Sequence, residues 1–430
     1  MRAPGDYPSR PYAWSVLGIL ICTAILSYTD RQVLSLLVDP IRGDLGIGDR
    51  EISYLLGAAF AVVYGVAGIP LGFLADRTSR RNLIFAGVLV WSCGTLACGL
   101  CHTFGQLFAA RIVVGLGEAV LSPAAISLIS DYFPPSRRGT AVGCFLSGIA
   151  MGIGLAIVIG GGVLHLVQRG AFSGTPLASQ PAWRLVLLLM GAVGVLWVWV
   201  ILLIREPQRH TTDGAQETGP VDRPRSAAWA RVIPAYLVVA IASLVDNAVG
   251  GWAPTLLIRE FTRDPAEVGL QLGVLVTAGF GGGVLLGGWL ADKVGLRGGW
   301  SHKLGVCLAS GLLILPVSLL LNAGQYTVVL LSISLYFALS GIVTACGFSA
   351  ILDAVPNRSR GMAMAISFFL NVALGAGLGP TAVAAGERVF GAGAGLGPAL
   401  TLTVAASYGL AVVSLIATLS VLRARPAVAH

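Results

Sequence analysis

Tyr28-Thr29-Asp30-Arg31 places a carboxylic acid beside a guanidinium inside a run that is otherwise apolar from Trp14 to Val38. About 20 apolar residues span a bilayer as a helix, so both charges belong at membrane depth. An ionisable side chain there costs roughly 2.5–3.5 kcal/mol on insertion scales, and such groups pair, face a cavity and mark transport paths. A second acid–base set lies in the apolar stretch 104–132, where Arg111 and Glu118 stand seven residues apart. Seven residues are about two helical turns, so the two share a face with Gly115 and Ser122. The chemistry open to such a set is attraction of an anion by arginine and loading of a proton by a carboxyl. Desolvation opposes the charged carboxylate and a nearby arginine favours it, so a carboxyl that changes partners can take up and release a proton.

The elements that position these groups are membrane helices. Of 430 residues 56% are hydrophobic and 11% charged, with mean hydropathy +0.83; a soluble domain carries about 25% charged residues. The net charge of +8 does not indicate a nucleic-acid partner, because the arginines cluster in short loops between apolar runs. All seven cysteines fall in hydrophobic segments or at their ends and read as small packing residues. Cys98-Gly99-Leu100-Cys101-His102 has the spacing of a c-type haem attachment site, but no soluble domain is present to enclose a haem. The five histidines show no metal spacing, and no Gly-x-x-x-x-Gly-Lys occurs. No cofactor or metal is expected. The first apolar run is too long for the core of a cleavable signal peptide.

Twelve spans are expected, at about 12–38, 51–75, 82–101, 104–132, 138–168, 182–204, 231–258, 266–291, 303–322, 325–353, 360–385 and 398–422. The positive-inside rule puts both termini in the cytoplasm, with Arg77, Arg80, Arg81, Arg137, Arg138, Arg205 and Lys303 among the inward charges. Asp30 then lies about 12 Å below the outer end of its span and Arg111 roughly 10 Å below that of its own, with Glu118 near the midplane. The polar stretch 205–230 reads as a cytoplasmic tether without chemistry of its own, between bundles at 1–204 and 231–430.

The halves repeat. Gly72-Phe73-Leu74-Ala75-Asp76-Arg77 returns as Gly288-Trp289-Leu290-Ala291-Asp292-Lys293, and Asp131-Tyr132-Phe133-Pro134 with Arg138-Gly139 returns as Asp353-Ala354-Val355-Pro356 with Arg360-Gly361. At the first offset Asp30-Arg31 falls on Asp246-Asn247, so the second half supplies an acid without a base. Ser340, Thr344 and Phe348 recur every fourth residue, with Tyr336 one turn above, and form a mixed polar and aromatic face. Asn371 is a further polar candidate.

Gly72-x-Leu74-Ala75-Asp76-Arg77-x-x-Arg80-Arg81 and Arg111-x-x-x-Gly115-x-Gly117-Glu118-Ala119 resemble the loop and helix-4 signatures of the major facilitator superfamily. Tyr28-x-Asp30-Arg31, Pro123 and Asp131-Tyr132-Phe133-Pro134-Pro135-x-Arg137-Arg138-Gly139 are similar to the spinster group of lipid transporters within it. The resemblance implies an all-α fold of twelve helices in two six-helix halves. It implies alternating access by a monomer, not an enzyme, in the inner membrane. Helices 1, 4, 7 and 10 would line the cavity, so that Asp30, Arg31, Arg111, Glu118, Asp246, Asn247, Ser340 and Thr344 could serve substrate and coupling. Arg31 is expected to attract the anion, Asp30 and Arg111 to form a neutral pair, and Glu118 to change protonation. Asp76, Arg77, Arg80, Asp131, Arg138, Asp292, Asp353 and Arg360 would form the cytoplasmic gate. Expected partners are an amphiphilic anion or a small organic or sugar acid, protons and membrane lipids.

Overall fold

In a computed structural model, the structure describes residues 7–59, 63, 66–67, 70–71, 74, 77–207, 226–355, 360–390 and 395–424. Among the described residues the secondary structure is helical, as hydrocarbon demands when every backbone N–H and C=O must be satisfied within its own segment. The N-terminal part runs α1 (Arg10–Leu36), α2 (Val38–Leu45), α3 (Asp49–Ser53), a π-turn (Tyr54–Ala58), α4 (Arg80–Gly99), α5 (Phe104–Glu118), α6 (Leu121–Tyr132), α7 (Pro135–Gln168) and α8 (Ala182–Ile201). The C-terminal part runs α9 (Ser226–Phe261), α10 (Pro265–Leu319), α11 (Tyr326–Ala354), α12 (Arg360–Leu370), a second π-turn (Asn371–Ala376), α13 (Gly377–Phe390) and α14 (Leu396–Ala424).

Nine stretches among the described residues are long and apolar enough to cross a membrane. Of the other three expected spans, 51–75 is described continuously only as far as Ala59 and in fragments beyond it. The fifth appears as the 34-residue α7, and the eleventh as the interrupted series α12, π-turn and α13. α10 carries two of the nine, Pro265–Gly295 and Gly299–Asn322. They meet at Gly299, whose φ of 66° is open to glycine at little cost.

Three expected helices are interrupted near a proline, whereas the π-turn Tyr54–Ala58 in the expected span 51–75 has none nearby. A proline has no N–H to give the carbonyl four residues back, and its ring crowds that carbonyl. Pro123 thus leaves the Ala119 carbonyl without its partner, and the expected span 104–132 breaks at 119–120, directly after Glu118. Pro40 does the same to Leu36, where α1 ends. Pro380 does it to Ala376, at the end of the second π-turn. The Asn371 carbonyl in this turn also accepts from Ser243 Oγ of α9 at 3.0 Å.

The chain divides into two compact units, Met1–Pro220 with Pro265–Gly273, and Val221–Asp264 with Val274–His430. In the first, α4 packs between α5 and α8, and α1 lies along α7. In the second, α9 is central and touches α11, the π-turn, α13 and α14. Close approach depends on small residues where lipid supplies no hydrophobic force between helices. A Cβ on Gly117 would lie 2.5 Å from the Trp91 backbone nitrogen, and one on Gly283 would lie 2.1 Å from the Ala338 carbonyl oxygen.

The haem-like spacing at Cys98–His102 falls at the end of α4 and in the turn after it. Cys98 and Cys101 are buried free thiols. His102 Nδ1 lies 2.9 Å from Arg184 Nη1, and Arg184 Nη2 reaches Asp44 at 2.9 Å, which ties α2 to the start of α8.

Candidate functional site

The first cluster sits inside the N-terminal unit. Arg31 Nη2 of α1 meets Glu118 Oε2 of α5 at 2.7 Å, and their side chains are 16% and 1% exposed. The helix break after Glu118 places this carboxylate at the last turn of α5. Tyr28 lies beneath the Arg31 guanidinium, 4.9 Å from ring centroid to carbon.

The expected Asp30–Arg111 pair does not form among the described residues. Asp30, 1% exposed, accepts instead from Thr95 Oγ1 of α4 at 3.1 Å. The reason lies in α4, which packs against α5 and brings a hydroxyl to the carboxylate. Arg111 acts on Asp30 through Coulombic attraction at longer range. Arg111 is 2% exposed, and among the described residues its Nε and Nη2 have no hydrogen-bond partner; neither do Asp30 Oδ1 and Glu118 Oε1. Nε–H and Nη2–H form one edge of the guanidinium, the fork that grips a carboxylate or phosphate through two parallel bonds. Thr95 carries no motif signal. Only its position about two turns before the end of the expected span 82–101 hinted at membrane depth.

The second cluster lies where α4 begins. Arg80 is 1% exposed and bonds Asp131, the Ser127 carbonyl at 3.1 Å, the Ser127 hydroxyl at 3.2 Å and Glu206 Oε1 at 2.8 Å. Glu206 Oε2 also accepts from Ser79 Oγ and the Arg81 backbone N–H, each at 2.9 Å. The tether therefore begins with chemistry, against expectation. Glu206 caps the N-terminus of α4, where unsatisfied N–H groups favour an anion. Burial pushes the Glu206 carboxyl up, but the Arg81 N–H, the Arg80 guanidinium and the Ser79 hydroxyl outweigh it and hold it below the usual range. Asp76 lies outside the described residues, as do the side chains of Arg138 and Arg360. Arg77 is exposed.

The C-terminal unit repeats this cluster. Lys303 Nζ donates to Ser349 Oγ at 2.8 Å and meets Asp353 Oδ2 at 2.5 Å. Ser127 and Asp131 correspond to Ser349 and Asp353 at one offset, with Lys303 in the place of Arg80. Lys303 was not expected in the gate because its surroundings show no sequence likeness to those of Arg80. Asp292 is exposed and joins neither cluster among the described residues.

A third cluster surrounds Asp246 on α9. Asp246 Oδ1 accepts from Tyr336 Oη at 2.8 Å and Ser340 Oγ at 2.6 Å, both on α11. Tyr408 Oη of α14 lies 3.4 Å from Ser340 Oγ. Sequence reasoning brought Asp246, Tyr336 and Ser340 forward but missed Tyr408. Thr344 adds no hydrogen bond to the cluster. Asn247 turns back onto its own helix and donates to the Ser243 carbonyl at 2.9 Å. Ser243 in turn donates to Asn371 Oδ1 at 2.7 Å.

A protein of Mycolicibacterium smegmatis described as an MFS-type efflux pump is 29% identical over 379 residues, covering 86% of this chain and 83% of the relative. Protein spinster of Drosophila melanogaster is 28% identical over 295 residues, and the match spans 65% of this chain but 46% of spinster. A probable galactarate/D-glucarate transporter of Bacillus subtilis is 24% identical over 385 residues, 81% of this chain and 80% of the relative. Among solved structures, a bacterial homologue of the human lysosomal transporter spinster, inward-facing and unoccupied, superposes with a TM-score of 0.78 at 25% identity over 96% of both chains. The family pattern of the Major Facilitator Superfamily matches residues 20–380. The chain is therefore a multi-pass membrane transporter and belongs to the Major Facilitator Superfamily.

Proposed function

We propose that this chain is a secondary transporter that moves an amphiphilic, lipid-like anion together with a proton by alternating access, as a single chain with both termini in the cytoplasm. The observation that carries the reading is the buried fork of Arg111, a guanidinium edge without a protein partner in an apolar bundle. A buried charge is costly unless paired and hydrogen-bonded, and an oxyanion relieves that cost through two bonds. Arg31 is the second cation, but Glu118 holds it. Protonation of Glu118 removes the negative member of that pair and frees Arg31 for the anion. Proton and anion then favour each other's binding, and the coupling is reciprocal. The lipid-like choice rests on the likeness of Tyr28–Gly139 to the spinster group. The clusters at Arg80 and Lys303 serve as the cytoplasmic gate, each bracing the start of one helix to the end of the next.

The second reading is a proton-coupled carrier of small organic or sugar acids. The similarity to a relative described as a galactarate/D-glucarate transporter favours it. Competition in proteoliposomes separates the two. Unlabelled lysophospholipid should block uptake of labelled lysophospholipid, while galactarate and glucarate should not. Uptake of labelled galactarate that unlabelled galactarate blocks and lysophospholipid does not would replace the first reading by the second. Uptake of neither class, with or without a proton gradient, would sink both.

A further inference from the structure

The Asp246 cluster is not used by the coupling described above, and its chemistry is distinct. We infer that Asp246, held by Tyr336 and Ser340, is a second proton-exchanging carboxyl, built into the C-terminal unit and independent of Glu118.

The argument starts from what surrounds the carboxyl. Asp246 is half-buried, while Tyr336, Ser340 and Tyr408 are 3%, 0% and 1% exposed. Both hydroxyl donors go to Oδ1. Oδ2 takes no hydrogen bond among the described residues. One oxygen is thus held by two donors, and the other is left open to a proton. From α11 the carboxyl is faced by Tyr336 and Ser340, and from α14 by Tyr408 behind Ser340. The π-turn contributes the neutral Asn371, which bonds Ser243. No lysine, arginine or histidine among the described residues acts on Asp246, in contrast to Asp30 and Glu118.

A carboxylate in a membrane helix without a cation is expensive, and the structure offers two partial remedies. The two hydroxyls stabilise the ionised form. A proton on the open Oδ2 removes the charge. The hydronium ion delivers that proton, an O–H bond forms at Oδ2 and water leaves. The hydroxyls of Ser340, Tyr336 and Tyr408 reorient by rotation alone, because a hydroxyl is both donor and acceptor. Both charge states are therefore accommodated without moving a helix. The proposal rests on the transport reading only for its consequence, which is a second proton per cycle.

Infrared difference spectroscopy of the reconstituted full-length protein tests it without any transport assay. As buffer is stepped from acid to alkaline, the wild type should lose the C=O stretch of a protonated carboxyl reversibly. That band should be missing in Asp246→Asn and retained in Glu118→Gln. In Tyr336→Phe the band should remain with an altered titration midpoint, because one of two donors is gone. If Asp246→Asn does not insert, Ser340→Ala provides the same midpoint readout. A wild-type spectrum with no band assignable to Asp246 at any pH would overturn the inference. So would midpoints unchanged in both hydroxyl variants. A titrating Asp246 band with no anion uptake would overturn the transport reading and leave this one standing.

Discussion

Replacing Glu118 by Gln removes the partner of a guanidinium at membrane depth. The pair is formed at 2.7 Å by side chains 16% and 1% exposed, so little solvent screens it. Two unit charges about 4 Å apart attract by about 4 kcal/mol at an effective dielectric of about 20. Removing one member of a buried pair costs about 3–5 kcal/mol, because the other charge stays behind. Glu118→Gln alone should therefore destabilise by about 3 kcal/mol, roughly two powers of ten in the folding equilibrium. Arg31→Met alone should do likewise. The double variant removes both members of this pair and should cost less than the sum, with a coupling of about 2–3 kcal/mol. Reversible unfolding in mixed micelles, followed by fluorescence of the nine tryptophans, measures all four corners of the cycle. In proteoliposomes the same Glu118→Gln protein should lose the dependence of uptake on a proton gradient. A coupling energy below about 0.5 kcal/mol would refute the pair as an energetic unit, since that is the scatter of independent sites. Unchanged rate and pH dependence of uptake would refute the proton role separately.

Three further outcomes follow from the clusters. Arg80→Gln leaves Asp131 and Glu206 without their shared cation, and should lower the melting temperature and reduce turnover more than substrate affinity; a pure loss of affinity would count against a gate. Lys303→Met should reproduce that pattern more weakly, because Asp353 is 38% exposed and Asp131 is 11% exposed. Glu206 has a folded value below its unfolded one, so its contribution is present above about pH 4.3 and lost as pH falls through the folded value; the gap in melting temperature between wild type and Glu206→Gln should be open at neutral pH and close in acid. Gly117→Val would drive a side chain into the Trp91 backbone and should cost about 1–3 kcal/mol by overpacking, read as reduced yield of monodisperse protein and a lower melting temperature.

Much of this protein is legible along the chain. Hydropathy alone exposes most of the apolar spans, because a bilayer requires unbroken apolar length, and that requirement is local. Asp30, Arg31, Arg111, Glu118 and Asp246 stand out because a charge in such a span is costly wherever the rest of the chain lies. The repeat of Asp131 as Asp353 is likewise visible as spacing. Proline marks where helices fail, so the breaks after Glu118 and before Gly377 were readable in principle at Pro123 and Pro380, through the loss of one N–H each.

Partnership was decided in three dimensions. Side chains at equal depth on two helices meet only if rotation and crossing bring their faces together, and depth says nothing about either. Asp30 and Arg111 have matched depths, yet α4 inserts Thr95 at the carboxylate and Arg111 keeps an unpartnered fork. Arg31, adjacent to Asp30 in sequence, points a third of a turn away and reaches Glu118 instead. Glu206 and Lys303 complete ionic clusters with residues far away in sequence, and Tyr408 joins Asp246 through Ser340. The sequence by itself determined which charges must be solved within the membrane. The packing of α4 against α5, and of α9 against α11 and α14, decided how each one is solved, because hydrogen bonds depend on ångström distances between elements that no linear spacing encodes.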